Sequence, residues 1–386
     1  MLQQPPLSLY IHLPWCVKKC PYCDFNSHAV KGAIPFEKYL EVLLADLDND
    51  LPLVWGRVVH SIFIGGGTPS LFPARHIESL LSGIRARCIM DPQAEITLEA
   101  NPGSVEHDRF SLYRDAGVNR ISLGIQSFSD EQLAAIGRIH DSAEAHDAIR
   151  AVRQAGFENI NLDLMYGLPG QNPEQALADL RSATDAGPEH ISHYQLTLEP
   201  NTQFAVNPPE LPGEAEIEDM QVVCQELLEK SGYQQYEVSA YARDHRTCWH
   251  NVNYWRFGDY LGIGAGAHGK ITLAADHSVV RLVKHKHPAR YLAADAESQW
   301  LADKKTLSNS DLVFEFFLNQ LRLKGGIKKA DFTARTGLPW SAVTEQVNLA
   351  CNRGLLKESA DSLAATTLGW NHLNSLQEMF LPRGSG

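Results

Sequence analysis

Between residue 7 and about 200, short apolar runs alternate in series with amphipathic stretches, and this alternation constrains the fold more than any other feature. The predicted strands cover Ser8–Leu13, Val59–Ile64, Glu95–Leu98, Arg120–Ile125, Asn159–Met165 and His190–Leu198. Helical patterns fill the gaps. Phe36, Tyr39, Leu40, Leu43, Leu44 and Leu47 make one apolar stripe, and Gly117, Gly156 and Gly187 stand where left-handed C-caps belong. Strand-then-helix units in series read as a parallel sheet with helical crossovers. Six such units are two short of a closed eight-fold barrel, so the expected fold is α/β, an open three-quarter (β/α)6 TIM-like barrel.

The rhythm changes after residue 205. Pro208-Pro209 and Pro212-Gly213 make a linker-like loop. A helix over Glu214 to Lys230, a strand-like Tyr236–Tyr241 and an aromatic segment through Tyr260 follow. From Leu307 the pattern is helical, ending near Phe380. The expected organisation is a core over 1–205, a barrel extension over 206–300 and a mainly helical C-terminal domain over 301–381. The final 382–386 read as a protease-site remnant.

Acidic and basic residues number 46 and 34, a net charge of −12, which disfavours broad nucleic-acid binding. The basic stretch Arg281 to Arg290 reads as a solvated loop. No run approaches the roughly 18 apolar residues of a membrane span, and the start has no basic n-region of a signal peptide. Seven unevenly spaced cysteines fit a reducing cytoplasm better than a disulfide framework.

Polar residues at strand ends point to a site. Glu99 closes the third predicted strand, Gln126 the fourth and Glu199 the sixth, while Asn161 and Asp163 share one side of the fifth. Barrels of this kind place their working groups at the carboxyl ends of the strands. Each residue alone would read as a cap or loop contact; together they predict a shared pocket.

Cys16, Cys20 and Cys23, spaced x3 and x2 on a loop after the first strand, are the strongest signal. Three thiolates leave one iron of a [4Fe–4S] cube free for a small molecule, whereas a closed electron-transfer cluster takes four. Zinc with His12 or His28 as fourth ligand is the competing reading. The cysteines, followed by Gly65-Gly66-Gly67-Thr68-Pro69 after the second strand, resemble the radical S-adenosylmethionine (SAM) superfamily. Its open iron binds SAM and its glycine run approaches the methionine amino group.

The resemblance extends to the coproporphyrinogen dehydrogenase-like branch through Tyr10-Ile11-His12-Leu13-Pro14-Trp15-Cys16, Glu99-Ala100-Asn101-Pro102-Gly103, Gly124-Ile125-Gln126-Ser127-Phe128, Gly137-Arg138 and Asp163-Leu164-Met165-Tyr166-Gly167-Leu168-Pro169. It implies SAM contacts from Tyr10, Tyr22, Gly66, Gly67, Thr68, Glu99, Gln126, Arg138 and Asp163. Two departures separate the chain from the oxidase of that branch. Phe25 stands where the oxidase loop resembles a fourth cysteine, and only 15 residues precede Cys16, so the oxidase's N-terminal arm is expected to be missing.

Both departures resemble the heme-chaperone family of the branch, as does His250-Asn251-Val252-Asn253-Tyr254-Trp255. That segment looks like the family's HNxxYW heme-binding signature and implies heme contacts from His250 and Tyr254. Read without the resemblance, His250 is a loop histidine and Tyr254 a core anchor. Cys248 and His268, the latter in the glycine-rich Gly262 to Gly269, are minor candidates. The resemblance implies a cytoplasmic heme carrier with a [4Fe–4S] cluster, SAM and heme, passing heme to an acceptor such as a respiratory hemoprotein, with a homodimer among the expected assemblies. The enzyme alternative is oxygen-independent coproporphyrinogen III oxidation. A radical SAM enzyme acting on RNA is a lesser one, against which the acidic charge counts.

Overall fold

The strands alternate in an inverted sense, with apolar side chains facing the outer helices and polar ones facing the barrel axis. The computed structural model, which describes residues 1–103, 109–294 and 300–382, shows this first in β1 (Leu7–Leu13). Leu7, Leu9, Ile11 and Leu13 enter the main apolar core, while Ser8 receives a 2.8 Å hydrogen bond from Ser61 of β2 (Val58–Gly66). The same holds in β3 (Ile89–Ala100), β4 (Arg120–Gln126), β5 (Ile160–Tyr166) and β6 (His190–Gln195). Asn161 of β5, for example, donates at 2.7 Å to Ser122 of β4, and Leu162 and Leu164 pack outward. A strand with period two can serve both faces only in this way.

The six strands pair in parallel in chain order, joined by crossover helices α1 (Phe36–Asp50), α2 (Ala74–Arg85), α3 (Phe110–Asp115), α4 (Ser142–Gln154) and α5 (Pro173–Asp185). Asp141 with Glu144 and Asn172 with Gln175 form capping boxes that start α4 and α5. After β6 comes α6 (Glu214–Lys230). The barrel is open as expected, and its sheet continues past both edges.

The predicted strand over Tyr236–Tyr241 is two antiparallel strands, β7 (Gln234–Glu237) and β8 (Ala240–Ala242), because the Glu237 carboxylate accepts the Ser239 N–H at 3.0 Å and turns the chain. Beyond them α7 (Trp249–Trp255) leads into β9 (Asp259–Ile263), which pairs in parallel with β1. Three antiparallel strands, β10 (His268–Leu273), β11 (Ser278–Lys284) and β12 (Leu301–Thr306), complete a twelve-strand sheet. The predicted sixth strand stops at Gln195, three residues early, leaving Glu199 on a loop.

The basic stretch Arg281 to Arg290 corrects its sequence reading. Its first part is β11, where Lys284 is fully buried and its Nζ pairs with Asp46 at 2.5 Å and Asp50 at 2.7 Å on α1. Arg281 pairs with Glu315 at 2.6 Å. Past residue 300 a second apolar core forms around Phe316, Phe317, Phe332 and Phe380. Its helices are joined by a small three-stranded sheet of Ile327–Lys328, Leu356–Glu358 and Ser362–Ala365, which periodicity did not show. The remnant expected at 382–386 lies, from 383 onward, outside the described residues.

Removing the cation at Lys284 would strand two buried carboxylates. Lys284→Ala is expected to lose about 3–5 kcal/mol of stability, read as a lower urea midpoint by circular dichroism.

Candidate functional site

At the carboxyl ends of the six barrel strands lies a cavity of about 400 Å³. It gathers Cys16, Cys20, Tyr22, Cys23, Gly66, Gly67, Thr68, Glu99, Gln126, Arg138 and Asp163 on one wall or another. These residues come from six separate stretches of chain, brought together by the parallel register.

The cysteine loop is tied down at both ends. Trp15–Cys16 pairs in parallel with His28–Ala29, and the amide of Cys23 donates to the carbonyl of Cys20 at 3.1 Å. Asn26 donates at 2.8 Å to the carbonyl of Ala265, so the glycine-rich Gly262 to Gly269 buttresses this loop and does not line the cavity. His12 fastens the loop from below: Nε2 pairs with the carbonyl of Asn26 at 2.9 Å, and Nδ1 meets the Tyr10 hydroxyl at 3.0 Å. With both ring nitrogens engaged, His12 has none left for zinc. Among the described residues no three His, Cys, Asp or Glu side chains converge on a single ion. Three thiols spread around one cavity suit a cube, in which each iron takes one thiolate, better than zinc. Burial pushes the thiols of Cys16 and Cys23 up, with hydrogen bonds from Thr68 and Ser27 respectively opposing it, so cationic irons would be needed to hold the thiolates.

The glycine run has a packing reason of its own. A Cβ on Gly66 (φ 121°) would sit 2.8 Å from the His12 ring, and one on Gly67 would sit 2.5 Å from the carbonyl oxygen of Trp15. The run is thus pressed flat against the cysteine loop, and the N–H of Gly66 donates to Glu99 Oε2 at 3.0 Å. Glu99 is pushed up to about 7, first by burial and then by the nearby Asp163 carboxylate. Asp163 is also raised by burial, although Asn161 (2.8 Å) and Ser122 (2.9 Å) donate to it. Two buried carboxylates facing one cavity favour a ligand that brings hydroxyl donors or positive charge.

Arg138 donates at 2.6 Å to the carbonyl of Gly124 and at 2.7 Å to Asn101, and lies 3.8 Å from the sulfur of Cys20. Gln126 ends β4 with a φ of 69°, a strained conformation for a residue with a side chain, and accepts from the Tyr194 hydroxyl at 2.8 Å. Asn101, Ser122 and Tyr194 also line the cavity, and sequence reasoning passed over them as site residues. A signal existed: Ser122 lies two residues before Gly124 and four before Gln126 on the inward face, and Tyr194 alternates inward with His190 and Ser192.

Three predicted residues lie elsewhere. Tyr10 sits deeper in the barrel, its ring 6.3 Å from those of Phe63 and His250. His250 and Tyr254 belong to α7, which closes the opposite end of the barrel. The Glu95 carboxylate receives the N–H groups of Trp249 and His250 at 3.1 and 3.2 Å, and Cys248 donates to it as well, which gives that thiol a structural partner. His250 is 8% exposed, with Nδ1 3.3 Å from the Ser61 hydroxyl and its ring 5.1 Å from that of Phe63. Burial, with a smaller push from Arg120, holds this imidazole down to about 3, hence neutral. Tyr254 is half-buried, its ring 4.8 Å from that of Trp255. His268 is exposed at the start of β10.

Two family descriptions match this chain: the radical SAM superfamily over residues 10–183 and the HemN C-terminal domain over residues 307–372. Among full-length relatives, the heme chaperone HemW of Escherichia coli is 50% identical over 381 residues, 99% of this chain and 100% of its own. The Haemophilus influenzae heme chaperone HemW is 50% identical over 385 residues, covering 99% of both. The solved coproporphyrinogen III oxidase HemN of Escherichia coli superposes with a TM-score of 0.83 over 98% of this chain and 90% of that one, at 24% identity, and so shares the fold.

A carboxylic acid whose proton is held more tightly folded than unfolded makes the folded protein less stable as pH rises. The contribution of Glu99 is present below about 4.5 and lost as pH rises through about 7. Ligand-free protein should therefore lose up to about 1.4 kcal/mol per pH unit across this window. In Glu99→Gln that part of the slope should vanish, as denaturant titrations at several pH values will show.

Proposed function

Since the chain belongs to the HemW heme-chaperone family of the radical SAM superfamily, we propose that it carries a [4Fe–4S] cluster on Cys16, Cys20 and Cys23, binds SAM in the strand-end cavity, and delivers heme to an acceptor protein. The observation that carries the cofactor part is the meeting of three thiols, a flattened glycine run and two buried carboxylates in one cavity. SAM, a sulfonium with an ammonium and ribose hydroxyls, would bring Glu99 and Asp163 positive charge and further donors beside those of Gly66, Asn161 and Ser122. Gly66, Gly67 and Thr68 would take its methionine end, Arg138 its carboxylate, and Tyr22 and Gln126 the remaining walls. A cluster with SAM on its open iron supplies one-electron chemistry; the protein supplies position and exclusion of water.

The oxidase reading loses ground at Phe25, which is 60% exposed at the cavity rim and offers no fourth thiol. The heme part of the proposal rests on the family and on His250 and Tyr254. Because His250 is inside the barrel floor, its ring would reach iron only if α7 shifts outward. No helix among the described residues is long and apolar enough to cross a membrane, which is compatible with work in the cytoplasm; heme acceptors there, and a second copy of the chain, are the proposed partners.

Anaerobic reconstitution tests the proposal. Wild type should hold one cubane and bind heme, yet leave coproporphyrinogen III unchanged; porphyrinogen turnover would restore the oxidase reading. Cys20→Ala should lose the cluster by iron and sulfide analysis while keeping heme, and Cys351→Ala should lose neither. His250→Ala should weaken or shift the heme Soret band at unchanged iron–sulfur content.

A further inference from the structure

The end of β4 is bent in an unusual way. The N–H of Ser127 donates to the carbonyl of Ile125 at 2.9 Å, which closes a three-residue γ-turn around Gln126, whose φ is 69°. The register with β5 slips at the same place, since Leu123 pairs with Leu162 while Gln126 pairs with Leu164. A γ-turn with positive φ is rare and strained for a residue with a side chain, and it persists only where its surroundings hold it. Bulges of this kind re-aim a side chain beside a site.

Here the side chain that is re-aimed is that of Gln126, which faces the strand-end cavity. Its Oε1 accepts from Tyr194 at 2.8 Å, whereas its Nε2 has no hydrogen-bond partner among the described residues and is left to a ligand. Gly124 leaves room for that amide, because a Cβ there would sit 3.1 Å from Gln126 Nε2.

Two buried side chains outside this cavity grip the turn on either side of Gln126. Asp179 of α5, 6% exposed, accepts from the Ser127 hydroxyl at 2.6 Å and from the N–H of Phe128 at 2.7 Å. Burial pushes this carboxyl up to about 6, with those two hydrogen bonds opposing, so it is ionised at neutral pH and its bonds are charge-assisted. His140, 4% exposed, holds the other side, its Nε2 3.1 Å from the carbonyl of Ile125. A carbonyl only accepts, so that nitrogen carries the proton and donates. Neither residue is needed to close the apolar core, and both spend their polar atoms on one turn.

We propose that Asp179 and His140 are positioning residues for SAM, which clamp the Gln126 turn in its strained form and so keep the Gln126 amide aimed at the ligand. This rests on the SAM reading of the cavity and extends it to two side chains that would never touch SAM.

Calorimetric titration of the reconstituted holoprotein with SAM tests it. Asp179→Ala should bind SAM about tenfold more weakly, at unchanged iron and sulfide content. Asp179→Asn, which keeps an acceptor oxygen for the Phe128 N–H, should recover part of that loss. In a Gln126→Ala background no amide is left to aim, so Asp179→Ala should add no further loss, whereas a general loosening of the fold would add its full effect there too. His140→Phe keeps a ring and removes the donor; it should weaken SAM binding and likewise add nothing to Gln126→Ala, and this cycle decides if Asp179→Ala does not fold. If wild type binds SAM and the clamp variants bind it equally well, or their losses add to that of Gln126→Ala, the clamp is wrong and the SAM reading survives. If wild type binds no SAM, both fall.

Discussion

Everything at the two ends of this barrel hangs on the hydrogen-bonded lining between them. Asp163 accepts from Asn161, whose amide oxygen meets His190 at 2.5 Å; His190 reaches the Tyr236 hydroxyl at 2.8 Å, and that hydroxyl receives the N–H of Cys248 at 3.3 Å. The chain of contacts runs from a carboxylate in the cysteine cavity to the start of α7. A buried polar group without a partner costs about 1–3 kcal/mol, so each member depends on its neighbours. The apolar positions are thereby committed to the outer face, where they hold the helices, and the axis is left free to carry chemistry.

Charge is managed differently in different layers. Outside the barrel wall, buried cations are paired: Lys284 with Asp46 and Asp50, Lys270 with Asp259 at 2.8 Å, and Arg57 with the same Asp259 at 2.8 Å. These pairs fasten the added strands to the core. At the mouth, Glu99 has among the described residues a backbone N–H from Gly66 as its one hydrogen-bond donor, and burial and the nearby Asp163 hold its proton tightly. The carboxylates that fasten the added strands come with cations, whereas Glu99 and Asp163 at the strand ends have hydrogen bonds alone and no ion-pair partner among the described residues.

Much of the site was legible because its parts are local in sequence. Three cysteines within eight residues, a glycine run after a strand and carboxylates at strand ends each announce themselves without knowledge of the tertiary fold. The six core strands were legible for the same reason, their period-two pattern being continuous. The added strands were not. Lys284 read as part of a solvated loop because its buried partners lie 234 and 238 residues away in sequence. His250, whose plain sequence reading was a loop histidine, lies instead on a helix and is folded inward, because Ser61 and Glu95, far away in sequence, supply its hydrogen bonds.

The placement of the cysteine loop bears on how the protein is made. Cys20 and Cys23 are half-exposed, and none of the three thiols belongs to the main apolar core, which is built from the outer faces of the strands and their helices. Folding can therefore run to completion on hydrophobic burial and the polar lining alone. For the cluster proposed on these thiols, assembly would then be a late, surface event. A delivery protein would need to reach only the rim, and iron lost to oxidation could be replaced without unfolding the chain.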